Sequence, residues 1–159
     1  MKKTLLAGLA SLALILGFSS CNDDNDLPDV SLQVEFNDAT IVDGTVYVVQ
    51  GETFEVESVT PVNNESNKAV ELGGVTYYWD YQLLGASNIK PFALEITVTP
   101  ETKVGRHVLE LYCPVYAVDK APANAMISYP VEVVASADDL PTNGNTSVST
   151  TPQVSKTDK

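Results

Sequence analysis

Between residues 30 and 136 the chain repeats one pattern, apolar side chains at every second position with polar ones between them, in short runs broken by turn residues. A two-residue period puts one set of side chains on a buried face and the other in water, which is the geometry of a half-buried β-strand. Leu32, Val34 and Phe36 alternate with Ser31, Gln33 and Glu35, and Phe54 and Val56 with Thr53, Glu55 and Glu57. Val75, Tyr77, Trp79, Tyr81 and Leu83 read as one face of a long strand, and Phe92, Leu94, Ile96 and Val98 as one face of the next. Leu109, Leu111 and Cys113 oppose Glu110 and Tyr112, while Ile127, Tyr129, Val131 and Val133 oppose Ser128, Pro130 and Glu132. With a shorter run at residues 46–49, about seven strands are expected.

Turn chemistry falls in the gaps, at Asp43-Gly44, Gln50-Gly51, Gly73-Gly74, Leu84-Gly85, Val104-Gly105 and Ala121-Pro122. No stretch of helical length after residue 20 carries a 3.6-residue apolar stripe. Short strands separated by turns within a single-domain length predict an all-β fold, an antiparallel sandwich of immunoglobulin type over residues 30–136.

Residues 1–20 obey a different rule. Lys2 and Lys3 precede an apolar stretch from Leu5 to Phe18 that closes on Ser19 and Ser20, the pattern of an export signal. A spanning helix needs about 20 apolar residues, so this segment is read as cleaved and not as a membrane anchor. The stretch Gly17-Phe18-Ser19-Ser20-Cys21 resembles a bacterial lipobox, with Phe18 where leucine is usual, which implies that Cys21 is the lipidation site. Asn22-Asp23-Asp24-Asn25-Asp26 resembles the acidic export segment of surface-exposed lipoproteins of Bacteroidota. The resemblance implies an outer-membrane lipid anchor through Cys21 and display at the cell surface; the periplasmic face of the outer membrane is the alternative. Several acyl chains on one cysteine give stable anchoring, which a single chain does not.

The flanks of the strand-rich region are polar. Residues 21–29 read as a lipidated acidic tether, which extended from residue 22 would reach about 25–30 Å. Residues 137–159 are rich in Ser, Thr, Asn, Asp, Pro, Gly and Lys, with Leu140, Val148 and Val154 as the sizeable apolar side chains, and disorder is expected there.

Once residues 1–20 are removed, seven basic and 21 acidic side chains remain, a net charge of −14. Such a surface repels nucleic acid, and that partner class is excluded. With Cys21 lipidated, Cys113 has no partner for an internal disulfide, so packing must hold the fold.

Tyr78-Trp79-Asp80-Tyr81 resembles the Tyr-x-Trp-Asp-Phe segment of polycystic kidney disease-type (PKD) domains. Gly105-Arg106-His107-Val108-Leu109-Glu110-Leu111 is similar to the opening of the penultimate strand in those and related bacterial Ig-like modules. Gln82-Leu83-Leu84-Gly85 replaces the glycine-aspartate-glycine turn of the PKD pattern, and His107 replaces its tyrosine. The resemblance implies a sandwich with Trp79 as a core residue.

No constellation for catalysis stands out. His107 is the sole histidine and shares a face with Leu109, which places it in or at the edge of the core; Cys113 on the same face reads as a buried thiol. Glu55, Glu57, Glu95, Glu110 and Glu132 occupy the water-facing positions of their runs, and Asp80 lies opposite the Trp79 and Tyr81 rings. There is no Cys-x-x-Cys, no paired histidine and no EF-hand spacing; Asp38 and Asp43 are loop carboxylates with calcium-ligand chemistry, but no metal or cofactor is expected. Tyr78 points away from the core face of its strand, and Tyr112 and Tyr116 alternate onto the outer side of theirs. If those strands are neighbours, the three form a solvent-facing patch suited to stacking on sugar rings.

The expected function is that of a non-enzymatic surface lipoprotein, a displayed binding or spacer module for a glycan or protein partner. The alternative is a periplasm-facing accessory subunit of a polysaccharide uptake or hydrolysis system.

Overall fold

The computed structural model describes residues 26–65 and 67–157; the export signal and Cys21 lie outside the described residues. Among the described residues the chain forms β1 (Val30–Asn37), β2 (Thr40–Val42), β3 (Thr45–Val49), β4 (Thr53–Asn63), β5 (Val70–Leu72) and β6 (Val75–Trp79). There follow β7 (Gln82–Ser87), β8 (Leu94–Thr97), β9 (Gly105–Ala117), β10 (Ala123–Val134), a 3-10 turn at Ala137–Asp139, β11 (Ser147–Thr150) and β12 (Gln153–Lys156). They make two sheets. The smaller has the order β11-β1-β4-β8; the larger has β2-β3-β10-β9-β6-β7, with β12 beside β10 and β5 beside β9.

The alternation read from the sequence becomes the space between these sheets. Leu32, Val34, Phe54 and Val56 of the small sheet and Tyr77, Leu109, Leu111, Cys113, Ile127 and Val131 of the large one form a continuous buried core. Tyr77 donates its hydroxyl to the carbonyl of Phe92, which satisfies the polar end of a buried ring. The Tyr129 ring meets Phe36 edge-on at 5.7 Å. This is an immunoglobulin-like β-sandwich, as the alternation predicts. One pair departs from antiparallel: β3 runs parallel to β10, with Val46 opposite Val131 and Val49 opposite Val134. The first part of the chain therefore serves both sheets, β1 in the small one and β3 in the large one.

Three expectations need correction. The long strand expected to continue through Tyr81 and Leu83 stops at Trp79, because Asp80 and Tyr81 adopt φ of 48° and 67° and turn the chain back. Positive φ at both central residues makes this a two-residue hairpin loop of the primed type. Tyr81 is consequently 76% exposed and Leu83 64%, and neither belongs to the core.

The tail expected to be disordered is paired. β11 adds to β1, with Leu32 opposite Thr150 and Glu35 opposite Ser147, and β12 adds to β10, with Ala123 opposite Lys156. Without them two strand edges would present unpaired N–H and C=O groups, and pairing those edges is what orders a segment poor in apolar residues. Val148 and Val154, half-buried, pack against the core. Gly144 permits the approach, since a Cβ there would lie 1.9 Å from Thr40 Cγ2.

The third correction concerns the tether, whose last residues are docked. Asp26 accepts from Ala121 N–H at 2.9 Å and pairs with Lys120 Nζ at 2.5 Å, while Asn64 donates its amide N–H to Asp29 O at 3.0 Å. The chain thus enters the domain beside the β9–β10 turn. The opposite pole, where β9 begins and the Asp80–Tyr81 turn lies, is about 40 Å away along β9.

Candidate functional site

β9 is the strand on which the candidate site is built. His107, Leu109, Leu111, Cys113 and Val115 point into the sandwich, so Arg106, Val108, Glu110, Tyr112, Pro114 and Tyr116 form the outer row. Its neighbour β6 pairs antiparallel, with Thr76 opposite Tyr112 and Tyr78 opposite Glu110. That register places Tyr78 diagonally from Tyr112, and their rings meet edge-to-face with centroids 5.3 Å apart. Tyr116 lies on the same face, 52% exposed, its ring over Gly73, where a Cβ would come within 2.9 Å of Tyr116 Cε2. The three tyrosines singled out in the sequence are thus brought to one outer sheet face, Tyr78 and Tyr112 in contact and Tyr116 farther along β9.

Other residues of this face were not anticipated. Leu83, directly opposite Tyr78 across the hairpin, adds an exposed apolar side chain beside the rings. Glu110, expected in water, is buried beneath the face: Tyr78 and Ser128 flank it on the neighbouring strands, and Ser128 Oγ donates to its Oε1 at 3.2 Å. Tyr47, Glu132 and Arg106 stand side by side on β3, β10 and β9 farther up the same face. The outward parity of each was legible, but which strands are neighbours was not.

Asp80 and His107 form the pair that most resembles catalytic machinery. Asp80 Oδ2 lies 2.7 Å from His107 Nδ1, and Asp80 Oδ1 accepts the Val108 N–H at 3.0 Å. His107 Nε2 lies 2.7 Å from the carbonyl of Lys103. Both partners are acceptors, so both ring nitrogens donate and the bonded state is the imidazolium. Burial lowers the His107 pKa, but the hydrogen bonds to Asp80 and Lys103 and the charges of Asp80 and Glu132 outweigh it, and the net shift is upward. A general base needs a free nitrogen facing substrate; here Nε2 is spent on the β8–β9 loop and the ring stacks on Trp79 at 5.2 Å. Asp80 is a turn residue bonded to β9, not a strand residue opposite the aromatic face as the alternation suggested.

Trp79 is half-buried at the open side of the sandwich, packed against Phe54 at 6.3 Å and His107, and is not the central core residue; Tyr77 takes that place. Cys113 is buried, and burial pushes its thiol up to about 12, so it stays protonated and unreactive at neutral pH. Among the described residues no three His, Cys, Asp or Glu side chains converge as metal ligands. Asp38 and Asp43 occupy positive-φ turn positions, which short polar side chains tolerate.

No family model matches the chain, and no curated protein matches it. Among solved structures it is similar to the fibronectin(III)-like modules of Clostridium thermocellum CbhA, at 16% identity and a TM-score of 0.34, over 61% of this chain and 92% of that one.

Proposed function

We propose that this chain is a non-enzymatic, lipid-anchored module that binds glycan through the outer face of its large sheet. The observation that carries the reading is the outward row of Tyr78, Tyr112 and Tyr116 on paired strands β6 and β9. Aromatic rings standing in water on a rigid sheet offer flat apolar surfaces at little entropic cost, suited to the C–H faces of pyranose rings. The titratable pair Asp80–His107 is committed to holding the β6–β7 turn against β9, which favours binding over turnover.

The anchor belongs to the same reading. Lipid on Cys21, five residues before the docked Asp26, would keep the β9–β10 pole within about 17 Å of the headgroups. The strands of the large sheet would then rise from the membrane, with its tyrosine face turned sideways and accessible to a polymer.

The test is retention on immobilised polysaccharide. Tyr78→Ala, Tyr112→Ala and Tyr116→Ala are each expected to lower retention without lowering Tm; unchanged retention in all three would remove the tyrosine face as a binding site. Mass spectrometry of the mature N-terminus checks the anchor separately, and an unmodified Cys21 would overturn it.

A further inference from the structure

Beyond the tyrosines, the outer face of the large sheet holds a shallow hollow of about 310 Å³ where β3, β10 and β9 run side by side. Thr45, Tyr47, Arg106, Val108, Pro130 and Glu132 line it. Register puts Tyr47 opposite Glu132 and Glu132 opposite Arg106, so an aromatic ring, a carboxylate and a guanidinium stand in one row. At the usual strand spacing this row is about 10 Å wide. In the next row Pro130 stands opposite Val108, an apolar floor.

Arg106 is the only arginine of the chain, and it is exposed. Lys68, Lys90 and Lys120 are each spent on ion pairs with Asp119, Glu71 and the Asp26–Glu65 pair. Among the described residues no carboxylate lies within ion-pairing distance of the Arg106 guanidinium, although Glu132 is its direct cross-strand neighbour. A planar fork of five donors is therefore presented to solvent next to an acceptor-only carboxylate. Vicinal hydroxyls of a sugar both donate and accept, and such a pair of side chains can satisfy them together. Tyr47 and Pro130 add the apolar surfaces that a pyranose ring covers with its C–H face.

Charge decides the class of sugar. The chain after residue 20 carries a net charge of −14, and a polyanion would meet that field before it met one arginine. We propose that the hollow is a subsite for an uncharged hexose polymer, an inference that rests on the glycan reading of the tyrosine face. Along β9, Arg106 and Tyr112 are six residues apart, about 20 Å, so one polymer strand would run from the hollow to the tyrosines across several sugar rings. The hollow lies toward the pole opposite the Asp26 entry point, where a large polymer meets least obstruction from an anchoring membrane.

Affinity electrophoresis of the mature chain in gels containing a soluble glucan, mannan or galactan, with polygalacturonate as the anionic arm, tests this. The expected result is retardation by a neutral polymer, weakened on the order of tenfold by Arg106→Ala and by Tyr47→Ala with Tm unchanged. Arg106→Gln, whose side chain is exposed and cannot unfold the core, guards against loss of structure at Tyr47. If Tyr112→Ala weakens retardation while the Arg106 and Tyr47 variants run as wild type, the subsite is wrong and the tyrosine face stands. Retardation by polygalacturonate alone overturns the neutral class. No retardation by any of the polymers overturns both the subsite and the glycan reading.

Discussion

Asp80 Oδ2 and His107 Nδ1 are 2.7 Å apart, and through them the tip of the β6–β7 hairpin is fastened to the first residues of β9. The same carboxylate takes the Val108 N–H, and the other side of the imidazole takes the Lys103 carbonyl, so three segments meet on two side chains. Only the imidazolium makes both ring bonds, which turns a structural junction into a titratable one.

The folded His107 pKa lies above its ordinary value, so the stabilisation it confers is complete below about pH 6.5 and is lost as pH rises through the folded value. Urea midpoints measured on both sides of that range should fall with rising pH in the wild type and change less in His107→Gln. Asp80→Asn keeps an acceptor for Val108 and a residue tolerant of positive φ. It should move the His107 pKa, read by NMR, down toward the ordinary value; an unmoved pKa would remove Asp80 as its cause.

Tyr81 sits at φ 67° in the second position of the hairpin loop and is 76% exposed, so its conformation is strained and its ring packs on little. Glycine at this position relieves the strain, and Tyr81→Gly should raise stability by about 0.5–1 kcal/mol in chemical denaturation. A loss of stability would mean that the ring makes a contact worth more than the strain.

Tyr77→Phe removes a buried hydroxyl and leaves the Phe92 carbonyl without its donor. The cost should be about 1–3 kcal/mol, set by the orphaned acceptor more than by the lost hydroxyl. A change below a few tenths would contradict the bond.

The C-terminal strands make a sharper test of the fold. The alternate amides of β11 and β12 that face β1 and β10 should exchange slowly with deuterium, and deletion of residues 141–159 should cost about 2 kcal/mol and lower Tm by roughly 5–10 °C. Gly144→Val should lower Tm in the same direction, because its side chain would fall on Thr40. Rapid exchange and an unchanged Tm on deletion would return the tail to disorder.

What could be read from the sequence was local. The period of two assigned the inward and outward sides of β9 residue by residue, because alternation is a property of the extended chain itself. It misplaced Leu83 because a two-residue loop pairs Trp79 with Gln82; that odd offset moves Leu83 to the Tyr78 side, and Asp80-Tyr81 carries no glycine to announce the turn. The tail was missed for another reason. β11 and β12 are held by backbone pairing to edges formed by residues far away in the chain, and no composition signals that. The Tyr47–Glu132–Arg106 row depends on a parallel pairing between β3 and β10, which links distant segments and leaves no local mark.

The central claim is that the outer face of the large sheet, from Tyr47 to Tyr116, is the surface that meets glycan. Its most direct measurement is a ¹H–¹⁵N titration of the mature chain with the neutral polymer's oligosaccharide, following every amide. The account predicts perturbations along the outer row of β9 and its partners on β3, β6 and β10, centred on Arg106, Glu110 and Tyr112. Perturbations confined to the small sheet or to the Asp80–Tyr81 turn, or none at saturating oligosaccharide, would contradict it.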